Sequence, residues 1–177
     1  MSTATEFKEP VAADVATPDV TDEDEVTRKV AIICSKGSLD MAYPGLIMAN
    51  AARMMGMDAL IFFTFWGLDI VTKEKVDHLH ADLLGNPSSP MPHSLMGLPG
   101  MEALATKMMK KKIEELDIPD IPELLEILDD AGAELYGCKM AMEMFDLDED
   151  ALVPQVKSTL TAMDFWEKAD GAQVVFI

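Results

Sequence analysis

The chain predicts a small doubly wound α/β domain, a parallel sheet with helices on both faces. Two observations carry this. Short apolar runs lack the polar alternation of a half-exposed strand, so each fits a strand buried on both faces. Helix-period segments separate the runs, and alternating strands and helices build a parallel sheet through right-handed crossovers.

The elements follow in order. Residues 1–27, rich in Ala, Thr, Val, Pro and acids without periodicity, read as a disordered arm, and 28–177 as the domain. RKVAIICSK is the first strand. SLDMAYPGLIMANAARMMG is a helix with Pro44 near its first turn and Gly56 at its end. MDALIFFTFW is the second strand. LLGNPSSPMPHSLMGLPG carries four prolines and reads as a long functional or mobile loop over 85–100. MEALATKMMKKKIEEL sets Met101, Leu104, Ala105, Met108, Met109 and Leu116 near one helical face. DIPELLEILDDAG opens on Asp120 as N-cap, with Pro122 in the first turn, and stops at Gly132. AELYGC is the third strand and CKMAMEMF opens a short helix. STLTAMDFWEKADG is the last helix, with Leu160, Met163 and Trp166 on one side, and AQVVFI is the fourth strand. The order is β-α-β-α-α-β-α-α-β.

Composition narrows the function classes. The formal charge of −18 over 177 residues repels phosphate backbones and anionic lipid, which excludes nucleic acid and membrane surfaces as partners. High acidity also marks salt-adapted chains. The start has neither the basic nor the apolar region of a signal peptide, and ALIFFTFWGLDIV is too short to span a bilayer. Two cysteines do not make a disulfide framework, so the chain reads as cytoplasmic with reduced thiols.

In a doubly wound sheet the functional end is the carboxyl edge of the strands, beside the switch in strand order. Cys34 ends the first strand and Cys138 follows the third. In the flavodoxin-like order 2-1-3-4 those strands are neighbours, about 5 Å apart. That order, taken as an assumption, brings both sulfurs to one edge. Cys138 lies at a helix N-terminus, where backbone N–H groups and the dipole favour a thiolate, and Lys139 adds positive charge. The plain alternative is a small buried hydrophobe.

Other candidates are weaker. Lys36, Gly37 and Ser38 in CSKGS lie between strand and helix, where an anion such as thiosulfate or sulfite can bind, but the Gly-rich nucleotide spacing is missing. His93 in the long loop could pair with Cys138 if the loop folds over the edge. Met140 and Met144 share a helical face while Met142 points elsewhere, so no three-ligand metal set follows, and no metal or cofactor is expected. His78 and His80, two apart, read as surface residues. KMMKKK is a solvated helix face that can also dock an acidic partner.

At this point the sequence resembles a known family. KVAIICSKGSLDMAYPGLIMANAARMMGMDALIFFTFWGLDIV, the Met-Pro-rich loop, LLEILDDAGAELYGCKMAMEMF and AQVVFI are similar to the DsrE/DsrF-like sulfur carriers. More narrowly, the sequence looks like the DsrE-like branch once labelled peroxiredoxin-family. The most specific element is Gly137, Cys138, Met140, Met142 and Phe145. The resemblance implies that Cys138 is the sulfur-binding cysteine. Cys34 matches a cysteine of part of that branch. It further implies a flavodoxin-like fold, homo-oligomers, and partners of the TusA and rhodanese type that exchange sulfur as persulfide or thiosulfonate. The sequence thus reads as a sulfur carrier or sulfurtransferase. Cys138 takes sulfur from a donor persulfide, thiosulfate or polysulfide, and Cys34 acts as resolving or relay thiol. Gly137 allows close backbone approach and Lys139 favours the anion. Met140, Lys36, Gly37, Ser38 and His93 complete the surroundings. The rival readings are a non-catalytic oligomeric subunit with buried cysteines and a Cys34–Cys138 thiol–disulfide sensor.

Overall fold

In the computed structural model, residues 28–82 and 100–177 are described. β1 (Lys29–Cys34), β2 (Asp58–Phe63), β3 (Glu134–Cys138), β4 (Val156–Leu160) and β5 (Gln173–Phe176) form one sheet in the order β4-β3-β2-β1-β5. Every pairing is parallel. The helices are α1 (Leu39–Met54), α2 (Met101–Glu115), α3 (Ile121–Asp130), α4 (Lys139–Met144) and α5 (Ala162–Lys168). Short 3₁₀ turns occupy Phe65–Val71, Val76–His78 and Glu149–Ala151.

The class is the expected α/β one, and the central strands show why. Ala59 to Phe63 of β2 are all buried, as a strand with partners on both sides and helices on both faces must be. β1 to β4 step across the sheet in one direction, so right-handed crossovers place their connecting helices on one face. β5 jumps back beside β1, so α5 lies on the opposite face. The first face holds Ile32, Cys34, Ile61, Phe63 and Leu135, buried with Leu46 and Ala49 of α1 and Leu124 and Leu128 of α3. The second holds Phe62 and Tyr136; Phe165 of α5 stacks on Phe62 at 4.9 Å and Lys168 sits 4.9 Å over the Tyr136 ring.

Three expectations change. The sheet has five strands where the sequence reading has four, because Val156–Leu160 is a strand and the last helix begins only at Ala162. A capping box sets that start: the Thr161 side chain accepts from the Asp164 N–H, and Asp164 accepts from the Thr161 N–H at 2.9 Å. The second strand ends at Phe63 and not at Trp66, because Phe65 turns into the left-handed region at φ 48°. The assumed order 2-1-3-4 is replaced by 4-3-2-1-5, so β2 separates β1 from β3. The reversal in strand order therefore falls between β1 and β5. There Ser35 donates from its N–H (2.8 Å) and its Oγ (3.0 Å) to the Ile177 carbonyl.

Candidate functional site

Cys138 is the last residue of β3 and the N-cap of α4, with extended backbone (φ −78°, ψ 115°) and no side-chain capping bond. It stands at the carboxyl edge as a free, buried thiol, 6% exposed. Apolar residues on the way to this point keep β3 inside the sheet, and Leu160 of β4 lies in register beside Cys138.

Gly137 is required here, though for packing within the chain. A Cβ on it would stand 3.3 Å from both the Met142 Sδ and the Leu152 Cδ1. The missing side chain lets Met142, itself buried, lie directly on the strand and draws the first turns of α4 onto the sheet. The close approach expected of Gly137 is therefore filled by Met142. Met142 points inward while Met140 and Met144 are exposed, as the helical spacing predicts. Lys139 is exposed beside the thiol and within electrostatic reach of Asp164 on α5. The Asp164 carboxyl is held below its ordinary value by hydrogen bonds from the Thr161 hydroxyl and N–H, then by Lys139 and Lys168.

Cys34 has a different setting. It is 1% exposed beneath α1, where a Cβ on Gly45 would lie 2.6 Å from its Sγ. Burial pushes its thiol up to about 12. Its carbonyl accepts the Thr64 N–H at 2.9 Å, and a Cβ on Gly67 would come within 2.0 Å of the same oxygen. The end of β1 is thus clamped by the Thr64–Gly67 turn.

The two cysteines do not meet. Cys34 is in register with Phe63, and Phe63 with Gly137, so these three share one face of the sheet. Cys138, one residue further, belongs to the other face. Two strand spacings, about 10 Å, separate their backbones, beyond the ~7 Å that a disulfide spans. The expectation that they approach each other depended on the order 2-1-3-4 and falls with it. An internal Cys34–Cys138 switch has no geometry in this fold, and a relay between the two sulfurs has none either.

In the loop after β1, where an anion is expected at Lys36, Gly37 and Ser38, carboxylates also stand close, one of them, Asp69, paired with Lys75 at 2.6 Å. Lys36 is exposed, but the Leu39 N–H donates to the His80 carbonyl at 2.8 Å. Gly37 is pressed against Asp69, whose Oδ2 would be 3.2 Å from an added Cβ. Asp40 in the first turn of α1 accepts the Asp82 N–H at 2.9 Å. Two carboxylates and the lysines Lys36 and Lys75 thus surround Gly37 and Ser38. His93 and most of the long loop lie outside the described residues. His80 stands 3.3 Å from Glu102, and His78 is exposed. Among the described residues no group of three His, Cys, Asp or Glu side chains could hold a metal. A cavity of about 360 Å³ among α1, α2 and α3, with Tyr43 and Lys110 in its wall, is lined by neither cysteine.

Sequence reasoning missed Phe65 and Trp66, which it placed inside the second strand. Both are exposed at the carboxyl edge, one strand from Cys138. The available signal was Gly67: a glycine directly after the aromatic pair marks a turn more readily than a strand centre.

The comparisons agree with the fold and extend it. The E. coli protein YchN in crystal form superposes with a TM-score of 0.52, covering 85% of this chain and 99% of that one at 14% identity. That likeness concerns the fold alone. The Sulfur carrier protein DsrE2 of Allochromatium vinosum is 36% identical over 138 residues, 73% of this chain and 86% of that protein. The uncharacterized YrkE of Bacillus subtilis is 26% identical over 161 residues, 86% of this chain and 99% of that protein. No helix among the described residues is long and apolar enough to cross a membrane. The model of the DsrE/DsrF/DrsH-like family matches residues 26–177, the whole sheet with both cysteines, and the chain belongs to that family.

Proposed function

We propose that this protein is a sulfur carrier that holds sulfane sulfur on Cys138 and passes it to the thiol of a partner protein. The observation that carries the reading is the position of Cys138: a free thiol on the N-cap of α4 at the carboxyl edge, while the other thiol is sealed beneath α1. The 36% identity to a protein named as a sulfur carrier supports it.

The chemistry balances without an added oxidant. The Cys138 thiolate attacks the outer sulfur of a donor persulfide or of thiosulfate, and the donor thiolate or sulfite leaves. The acceptor thiolate then attacks the outer sulfur of the Cys138 persulfide and releases Cys138 as thiolate. With tetrathionate the same attack leaves a thiosulfonate on Cys138 and expels thiosulfate. Lys139 places a positive charge next to Cys138 in sequence, on the exposed side of the edge. Cys34 takes no part in this scheme. TusA-like and rhodanese-like proteins are the partner classes that fit, and the reducing cytoplasm is the compartment that suits two free thiols.

The chain also acts as a homo-oligomer in this reading, through the outer face of α1. That face carries Pro44, Ile47, Met48, Ala51 and Met54 without a charge, in a chain of net −18. A helix apolar on its outer side as well as its inner one is a helix that another surface covers.

Intact-protein mass spectrometry after incubation with thiosulfate, tetrathionate or polysulfide tests the carrier. A reductant-sensitive sulfur adduct is expected on wild type and on Cys34→Ser, and its loss on Cys138→Ser. An adduct that persists in Cys138→Ser and disappears in Cys34→Ser reverses the assignment. No adduct from any donor leaves the non-catalytic oligomeric subunit as the better reading.

A further inference from the structure

Three features meet at the carboxyl edge around Cys138. The first is apolar exposure. Met140 (60% exposed) projects from α4, and Trp66 (66% exposed) stands with Phe65 just past β2, the strand beside β3. Phe63, the last residue of β2, is in register with Gly137, and the chain turns away from the strand two residues later at Phe65. α4 packs against the Phe65–Val71 turn, with the buried Leu68 and Met142 both beside Gly137, so the two exposed groups flank one buried junction.

The second is backbone strain. Phe65 adopts φ 48°, a region that bulky side chains rarely occupy. Such a conformation persists only where the surroundings enforce it. Here the Thr64 N–H donates to the Cys34 carbonyl and the Gly67 N–H to the Thr64 carbonyl, each at 2.9 Å, so the turn closes and holds both aromatic residues at the edge.

The third is charge. Glu143, Asp146, Glu149 and Asp164 are all exposed. Glu143 is on α4 and Asp146 just past it. Glu149 accepts from Thr159, which is in register with Gly137, and Asp164 interacts with Lys139. These four carboxylates lie on the α4, β4 and α5 side of the edge with Lys139 among them, while the exposed Lys36 lies on the Trp66 side, next to Gly37 whose added Cβ would meet the Trp66 carbonyl.

We propose that this edge is a docking surface for a partner protein that presents its thiol on an apolar tip ringed by lysine and arginine, with Phe65 and Trp66 as its anchors. The proposal rests on the sulfur-carrier reading for the transfer itself and adds the surface chemistry of the partner. Exposed aromatic residues and methionine are the side chains that interface centres collect, and tryptophan is prominent among those that dominate binding. The four carboxylates on the α4, β4 and α5 side steer a basic partner and oppose an acidic one. A second copy of this chain, at −18, is excluded from this edge by the same charges. The same carboxylates oppose free anionic donors, so a protein donor is favoured over thiosulfate.

Three synthetic cysteine peptides, each activated as a mixed disulfide with nitrothiobenzoate, serve as probes. One has leucine beside the cysteine and flanking lysines, the second has glutamates for the lysines, and the third has glycines for the leucines. The Cys138 thiolate attacks the peptide sulfur, the protein–peptide disulfide forms, and nitrothiobenzoate leaves as a coloured thiolate. The lysine–leucine peptide is expected to react at least about tenfold faster than the glutamate peptide at low salt, and the gap to close at high salt. Trp66→Ala, checked by circular dichroism to be folded, is expected to erase the advantage of leucine over glycine.

Equal or faster reaction of the glutamate peptide overturns the proposal. So does a leucine advantage that survives both Trp66→Ala and Phe65→Ala. Reaction of Cys138 only after unfolding overturns it too, because the edge is then closed. Sulfur loading is measured separately. Peptide selectivity without loading removes the carrier reading alone, and loading without selectivity removes the docking surface alone.

Discussion

Cys34 and Cys138 are the same functional group in two settings, and register decides which is which. Cys34 points into the packed layer beneath α1, where burial lifts its thiol to about 12. In the unfolded chain it ionises near the ordinary 9.0. Between these values the unfolded state has released a proton that the folded state keeps, so ionisation favours unfolding. The stability this group supplies is complete below 9.0 and falls as pH rises toward 12, by about 1.4 kcal/mol per pH unit. Denaturant titrations across that range are expected to show the stability gap between wild type and Cys34→Ala narrowing at that slope. A gap that stays constant would mean the thiol is not buried in solution. None of this was legible beforehand, since a cysteine ending an apolar strand looks alike on either face. The face depends on a strand order that the sequence leaves open.

The elements divide into those with local signals and those whose identity comes from the sheet. α3 announced itself: Asp120 accepts the Glu123 N–H at 2.9 Å, and Pro122 sits in the first turn, as the sequence indicates. β4 did not. Its five residues show one fully buried side chain, Leu160, because it is an edge strand with Lys157 and Ser158 exposed. A weak strand next to Met163 and Trp166 imitates a helical stripe, and the sequence reading merged them. The corrective signal was Thr161 with Asp164 three residues on, a capping box that fixes where α5 starts. Thr161→Ala is expected to destabilise the protein by about 1 kcal/mol in thermal or denaturant unfolding. Thr161→Ser is expected to retain most of that stability, because the hydroxyl is kept. Equal loss in both variants would show that the methyl group, and not the cap, is what Thr161 contributes. The site divides in the same way. The place of Cys138 at a strand end and the split of Met142 from Met140 and Met144 were legible from spacing, whereas Phe65 and Trp66 became a surface only once the chain turned at Thr64.

At the scale of the whole molecule, charge and shape pull in opposite directions. A net charge of −18 makes every approach of two copies unfavourable unless the contact itself is free of charge. The outer face of α1 meets that condition, and the edge around Cys138 does not. In the proposed reading the two surfaces take different occupants: α1 a second copy, the Cys138 edge a basic partner. Screening separates them, because salt weakens attraction between unlike charges and weakens repulsion between like ones. Raising salt is expected to shift this protein toward the oligomer, measured by sedimentation velocity, while it slows reaction of Cys138 with the cationic peptide. Met48→Glu together with Met54→Glu is expected to leave a folded monomer whose Cys138 still selects the cationic probe. Met54 is already 82% exposed, so a charge there disturbs the association and not the core. If that double variant remains oligomeric, the copies meet elsewhere. If it loses probe selectivity along with the oligomer, the docking edge is completed by a neighbouring copy and the two surfaces are one.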